Sequence, residues 1–430
     1  MRVHIKTLGC RLNEAELEIW AREFEVAGCK IVAELERADL LILNSCAVTQ
    51  DAVRKSRGLV RKLLRENPKA KVILSGCYAT LESGEAESLG VDLIVSNRDK
   101  HRLVDIALEQ LPSKPAIADF EASPEPTLFR MGRHRGFIKV QDGCRHHCSY
   151  CIVTLARGEE RSRKIDEILR QIQEHEDQGI GEVVLTGVHL GGYGSDLNSN
   201  LCLLIEAILK KTRIPRIRLG SLEPWDISEG FIELFQNPRL MPHLHLPIQS
   251  GSDAILKRMA RRTRRGDFLE LVHRLRSGVA HMNITTDIIV GFPGESDLDW
   301  AQTLEIAKLA DFGDIHIFSF SPRSGTAAAL MDHQVASDIK SSRSRELHQT
   351  NQAQKIARMT RLAGETREVL FEAHQNQGKQ DLISGYTTDY HRLAVVLPSG
   401  EASPLSYTIR TVKITGVDEK SACLTGALCA

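Results

Sequence analysis

Apolar and polar positions alternate along the chain in three textures. Near the N-terminus, short apolar runs at 3–8, 40–43 and 72–74 are separated by stretches of helical period at 14–27 and 52–66. That β-α-β-α-β order predicts parallel, buried strands. The alternation resumes with six runs, at 137–141, 183–186, 217–220, 244–248, 284–290 and 315–320, and helical stretches at 164–178, 201–211, 268–277 and 298–309. Six strands alternating with helices predict a partial (β/α)6 barrel, with its chemistry at the C-terminal strand ends. The polar stretch 337–362 contains no Gly or Pro and reads as a helix ended by Gly364. Beyond it, runs at 393–397 and 411–417 with turn residues between them predict a small all-β barrel. Pro112, Pro115, Pro124 and Pro126 mark an extended connection. The expected organisation is an N-terminal α/β domain (1–110), a linker (111–134), a central barrel domain (135–362) and a C-terminal domain (363–430).

Composition narrows the class. The 430 residues are 42% hydrophobic and 26% charged, as in an ordinary globular protein. No apolar run reaches the ~18 residues of a membrane span. Residues 1–10 show no basic segment leading into a long apolar stretch, so a cytoplasmic location with no membrane partner is expected. Fifty-six basic residues balance fifty-six acidic ones, so any nucleic-acid footprint must be local. Ten cysteines in such a chain point to metal ligands or catalytic groups rather than a disulfide framework.

Three of those cysteines each follow an apolar run: Cys10, Cys46 and Cys77. Parallel strands emerge at one sheet edge, so the topology brings the three together. Single buried cysteines pack well. Three in equivalent places, two of them preceded by Gly, favour a shared metal site. A second set, Cys144, Cys148 and Cys151, has C-x3-C-x2-C spacing in the loop after the first barrel strand. A closed zinc site would need His146 or His147 to bend back as fourth ligand. A four-iron cluster on three thiolates instead leaves one iron open to chelate S-adenosylmethionine.

The C-x3-C-x2-C loop, with Tyr150 before its third cysteine, resembles the radical S-adenosylmethionine superfamily. TLGCRLN at Thr7, NSCAVT at Asn44, SGCYA at Ser75, KVQDGCRHHCSYCIV at Lys139, ARGEERSR at Ala156, HLHLPIQSGSD at His243 and IIVGFPGE at Ile288 resemble its methylthiotransferases. The resemblance runs over essentially the whole chain, and the C-terminal domain is similar to a TRAM domain. It implies two [4Fe-4S] clusters, a radical-generating one on Cys144, Cys148 and Cys151 and an auxiliary one on Cys10, Cys46 and Cys77. Cys29, Cys202, Cys423 and Cys429 match no ligand and are expected to pack. Members of the family use two molecules of S-adenosylmethionine, one donating a methyl to sulfur and one cleaved to a 5′-deoxyadenosyl radical. No catalytic residue beyond the cluster ligands is then required. Contacts to S-adenosylmethionine are expected from Tyr150 and from the strand-end residues Gly187, Ser221, Glu223 and Gln249.

The words at Thr7, Leu185 (LTGVHLGGYG) and Ile217 (IRLGSLEPWDI) most resemble the branch acting on threonylcarbamoyladenosine. The implied product is the 2-methylthio form of that base at tRNA position 37, in the anticodon loop of ANN-decoding tRNAs. The isopentenyladenosine branch is the alternative, and a non-catalytic iron–sulfur RNA-binding or redox-sensing protein a more distant one. A flavodoxin- or ferredoxin-type electron donor is implied; the oligomeric state is open. For RNA, basic residues cluster at Lys257, Arg258, Arg261, Arg262, Arg264 and Arg265, along 340–361, and at Arg130, Arg133, His134, Arg135 and Lys139. From Thr366 onward six basic residues meet seven acidic ones. RNA contact there would rest on stacking by Tyr386, Tyr390 or Tyr407. His243 and His245 share a strand face and are expected to pack or hydrogen-bond. The glycines of 191–194 are expected to border the S-adenosylmethionine pocket.

Overall fold

Five parallel strands form the N-terminal sheet in the order β2-β1-β3-β4-β5. They are β1 (Arg2–Thr7), β2 (Lys30–Ile31), β3 (Leu40–Ser45), β4 (Lys71–Gly76) and β5 (Leu93–Val95). The computed structural model describes residues 1–111, 135–372, 375–377, 380–397 and 405–429. The expected linker therefore lies outside the described residues apart from Leu111, as do Arg130, Arg133 and His134. All six residues of the central strand β3 are buried, as a parallel strand covered on both faces requires. Leu41 and Leu43 join Val60 and Leu63 of helix Gln50–Glu66, while Leu40 and Ile42 join Trp20 and Phe24 of helix Arg11–Val26. The latter helix begins directly after Cys10, earlier than its apolar period suggests, because Gly9 at φ +118° turns the chain out of β1.

The central domain carries β6 (Arg135–Lys139), the short pair β7 (Gln141–Asp142) and β8 (Arg161–Ser162), β9 (Glu182–Thr186), β10 (Arg216–Leu219), β11 (His243–His245), β12 (Asn283–Val290) and β13 (Asp314–Ser319). β6, β9 and β10 form one parallel sheet and β11, β12 and β13 another. Bridges Ile217–Leu240 and Ser221–His245 join them, giving the six-stranded partial barrel. Its outward positions, including Ile138, Val183, Leu185, Ile217, Leu244, Ile284 and Ile288, build the largest apolar cluster beneath the covering helices. The alternating inward positions are polar: Glu182, Arg216, Arg218, His243, His245, Thr285 and Asp287. Arg218 grips Glu182 through Nε (2.8 Å) and Nη2 (3.0 Å). Burial pushes Glu182 up, but Arg218 outweighs it and the carboxyl falls to about 2.

The other two domains cover the barrel's open parts. The N-terminal domain reaches both edge strands. Glu18 of its first helix accepts from the Phe137 amide of β6 at 3.0 Å, and Gln50 donates to the Pro322 carbonyl beyond β13 at 3.3 Å. The C-terminal strands β14 (Thr366–Phe371), β15 (Gln375–Gln377), β16 (Gln380–Thr387), β17 (Arg392–Leu397), β18 (Ile409–Asp418) and β19 (Cys423–Leu428) form a small barrel, closed where β14 pairs with β16. Its 386–391 turn plugs the bottom of the central barrel: Arg216 and Arg218 donate to the carbonyls of Tyr386 and Thr388, and Asn283 to that of Asp389.

That docking corrects two expectations about RNA. Tyr386 and Tyr390 stack on each other at 4.7 Å, and Tyr390 lies against His243 at 4.6 Å, so these rings serve the domain interface. Arg135, expected in a basic patch, packs 4.8 Å over Tyr386, and Lys139 is tied to Glu16 and Asp142. Helix Ser337–Thr360 spends its cations likewise. Arg343 is buried between Glu295 (2.8 Å) and Asp297 (2.7 Å), Lys355 pairs with Asp314, and Arg358 and Arg361 share Asp311. Tyr407 is half-buried. Among the cysteines expected to pack, Cys29 and Cys423 are buried and Cys202 is half-buried against the barrel core, whereas Cys429 is exposed just past β19. Among the described residues no helix is long and apolar enough to cross a membrane.

Candidate functional site

Cys10, Cys46 and Cys77 follow β1, β3 and β4 at one sheet edge. Cys10 is exposed, at the N-terminus of the 16-residue helix Arg11–Val26. Cys46 and Cys77 are buried. Burial above all, with the neighbouring Cys10 and Cys77 adding to it, pushes the Cys46 thiol up to about 11. The chain approaches itself so closely here that side chains are excluded. A Cβ on Gly9 would lie 2.8 Å from that of Cys46. One on Gly76, at φ +96°, would strike the Ser45 carbonyl and lie 2.6 Å from its nitrogen.

Behind this edge lies a buried network. Arg157 Nη1 donates to Glu16 and Asp142, both at 3.0 Å, and its Nη2 donates to Asn13 Oδ1 at 2.8 Å. Asn13 Oδ1 also accepts the Cys10 S–H at 3.7 Å. Lys100 reaches Glu16 at 2.6 Å, and Lys139 reaches Glu16 at 3.0 Å and Asp142 at 2.6 Å. Burial pushes Glu16 up, but Arg157, Lys100 and Lys139 outweigh it and hold the carboxyl well below its usual range. Three cations against two carboxylates leave one positive charge beside the cysteines, the sign that suits a thiolate-bound cluster. Asn97 completes the junction by donating to the Ala156 carbonyl at 2.8 Å and to Cys77 Sγ at 3.7 Å. Sequence reading missed this network, although Asn13, Lys139, Asp142 and Arg157 all lie inside the words TLGCRLN, KVQDGCRHHCSYCIV and ARGEERSR.

The second set occupies the loop beyond β6 and β7. Burial pushes Cys144 up to about 12 and Cys151 to about 11, so a metal binding there must displace protons. Arg261, expected in a basic cluster for RNA, is instead buried against this loop. Its guanidinium grips Glu223 (2.8 and 2.5 Å), donates to the Pro247 carbonyl (2.6 Å), lies 4.0 Å from Cys148 Sγ and covers Trp225 at 4.6 Å. Tyr150 packs edge-on to Phe292 at 6.5 Å. Gly187 makes room for buried Gln141: a Cβ there would lie 2.9 Å from Gln141 Oε1, while Gln141 Nε2 donates to the Asp142 and Gly143 carbonyls. Ser221 is exposed at the rim. Gln249 is buried in a left-handed conformation (φ +72°), bonded through its backbone to Asp287 and Ile289 of β12. Gly191 and Gly192 pack against Asp226 and His189. His189 is held between Glu160 (2.6 Å) and Asp226 (2.8 Å) and lies 3.2 Å from His146.

Among the described residues, neither cysteine set has its three sulfurs all within 4.8 Å of one another. Thiolates on one tetrahedral zinc sit ~3.8 Å apart at the usual Zn–S length. The thiols of each triad are thus set wider than one zinc ion would hold them, while Cys144 lies near Glu160 and His189.

A sequence model of the radical SAM superfamily matches residues 138–307, and one of the uncharacterized protein family UPF0004 matches residues 2–96. The threonylcarbamoyladenosine tRNA methylthiotransferase MtaB of Thermotoga maritima is 38% identical over 400 residues, covering 90% of each chain. The tRNA-2-methylthio-N(6)-dimethylallyladenosine synthase of Bacillus velezensis is 33% identical over 401 residues, 90% of this chain and 79% of its own. Among solved structures, the radical S-adenosylmethionine methyltransferase TsrM of Kitasatospora setae, with cobalamin and a [4Fe-4S] cluster bound, superposes with a TM-score of 0.56. It is 15% identical and covers 76% of this chain and 77% of its own, a likeness of fold alone.

Proposed function

The chain belongs to the tRNA methylthiotransferase family of the radical S-adenosylmethionine superfamily, and on that premise we propose that it converts N6-threonylcarbamoyladenosine at tRNA position 37 to its 2-methylthio derivative. One observation carries the reading: two separate triads of cysteine occur in a chain 38% identical, over nine-tenths of both lengths, to a threonylcarbamoyladenosine enzyme. The cofactors are two [4Fe-4S] clusters, on Cys10, Cys46 and Cys77 and on Cys144, Cys148 and Cys151, with S-adenosylmethionine. Together they supply methyl transfer to sulfur and homolytic removal of the hydrogen on the base.

The chain's own residues bind, orient and shield. Arg261, anchored by Glu223, covers Cys148 and places a fixed positive charge there. Tyr150, Phe292 and Phe320 pack an apolar wall beside the same loop, which keeps water from the reacting centre. The Arg157 network joins both domains through Glu16, Asn13 and Asp142, and so sets one cysteine triad against the other. Tyr150, Gly187, Ser221, Glu223 and Gln249 remain the candidate contacts to S-adenosylmethionine. Lys257, Arg262 and Arg264, exposed on either side of buried Arg261, offer contacts for phosphates of the anticodon loop. An electron donor of flavodoxin or ferredoxin type completes the system.

The test is mass spectrometry of nucleosides from bulk tRNA in cells with and without the gene. Selective loss of 2-methylthio-threonylcarbamoyladenosine, with the unthiolated base accumulating, is expected. Loss of the isopentenyl product instead would overturn the substrate.

A further inference from the structure

Below the level of Glu223 and Arg261, the last three strands of the barrel place His245 (β11), Asp287 (β12) and His316 (β13) together. On each strand the neighbouring residues, Leu244 and Leu246, Ile288, and Ile315 and Ile317, pack into the outer apolar layer. The three side chains therefore face the hollow of the barrel. His245 Nε2 lies 3.1 Å and His316 Nδ1 3.2 Å from the same oxygen, Asp287 Oδ1, and the two rings stack 5.0 Å apart. Thr285 Oγ1 meets the other nitrogen of His245 at 2.9 Å. The other nitrogen of His316, Nε2, has no partner among the described residues, and that side chain is 54% exposed. Two residues on, Phe318 presents its ring on the same face, 44% exposed.

One cation acts on this cluster from another domain. Arg11, next to Cys10, reaches in from the N-terminal domain, donates to the Tyr390 hydroxyl at 2.9 Å and is felt electrostatically at both His243 and His316. The bond to Asp287, with the charges of Asp287 and Asp314, raises the His316 pKa against burial and Arg11, which lower it; in the protonated ring the free nitrogen is a donor carrying positive charge. A solvent-accessible pair of this kind adds little stability. It is suited to receive an anion.

We propose that His316, oriented by Asp287 and assisted by Arg11, binds the carboxylate of the threonylcarbamoyl group, with the Phe318 ring against the purine. This rests on the substrate proposed above. In that substrate threonine is joined through its amine and keeps a free carboxylate, whereas a dimethylallyl group carries no charge. The site thus separates the two substrates by one charge-assisted hydrogen bond, worth roughly tenfold or more in affinity.

The test compares reconstituted holoenzyme on anticodon stem-loops carrying threonylcarbamoyladenosine or its methyl ester, reading kcat/KM for the 2-methylthio product. Wild type is expected to lose about tenfold or more on the ester. His316→Ala is expected to slow the acid to the level of the ester, so that their ratio approaches unity, with iron content and melting temperature reporting its fold. Equal wild-type rates on acid and ester would overturn the proposal, and that comparison needs no variant. Discrimination that survives in His316→Ala overturns the carboxylate site alone. A wild type that modifies only a dimethylallyladenosine stem-loop overturns the substrate reading and this site with it. Stoichiometric zinc in wild type, absent from His316→Ala, would make the triad a metal site instead.

Discussion

The two cysteine triads are built in opposite ways. Cys144, Cys148 and Cys151 belong to one loop, are all half-buried, and come together by local chain geometry. Cys10, Cys46 and Cys77 come from three strand ends and meet only once a parallel sheet has formed. A local loop can wrap its cluster with small adjustments. A strand-end triad is only as good as the sheet, and tolerates no extra atom where Gly9 and Gly76 let the strand ends converge. What the loop lacks in rigidity comes from elsewhere, through Arg261 and Glu223, which pack onto Cys148 from later in the chain.

The sharpest way to break the comparison is to remove one ligand from each side. Cys148→Ala is expected to abolish both the methylthiolated product and formation of 5′-deoxyadenosine. Cys10→Ala is expected to abolish the product while cleavage of S-adenosylmethionine stays measurable by chromatography. If cleavage also vanished in Cys10→Ala, the two triads would not be functionally separable.

Gly76→Ala sharpens the contrast with a single methyl group. Backbone strain at φ +96° and the clash with Ser45 together cost about 3 kcal/mol or more. Roughly half of the iron should be lost, from the strand-end triad, with the loop triad keeping its share. Iron analysis and chemical denaturation check this, and full iron loading would refute it.

The smallest effect concerns the floor beneath both sites. The Glu182 carboxyl falls to about 2 in the folded chain, because Arg218 outweighs burial. A depressed acid stabilises the fold above its unfolded pKa, and that contribution is lost as pH falls toward 2. The loss should reach about 1.5 kcal/mol by about pH 3.5. Denaturation of wild type and Glu182→Gln at neutral and acid pH would show it as a steeper fall with acid in wild type than in the variant.

Much of this architecture was legible from pattern. The six barrel strands and the helices around them follow from runs bounded by helical stretches, since the outer face of each strand must be apolar where a helix covers it. All six candidate ligands stood out because cysteine after a strand, or at C-x3-C-x2-C spacing, has few other uses. Cation clusters were less legible. Arg261 and Arg343 looked like part of basic clusters for RNA, yet each is buried against acids distant in sequence, Glu223 for one and Glu295 for the other. Tyr386 and Tyr390 looked available for bases, yet they close the bottom of the barrel.

The sequence by itself determined the order of elements, the two cysteine triads and the family. Periodicity and ligand spacing are local properties, written within a few turns or one strand. Only the tertiary structure decided which charges are spent inside and which face a ligand. It alone joined Arg157 to Glu16 and Asp142, Arg261 to Cys148, and His245 to Asp287 and His316. Partner choice for a charged side chain depends on what long-range packing brings within about 3 Å, because a buried charge must find its counter-charge wherever the fold places one.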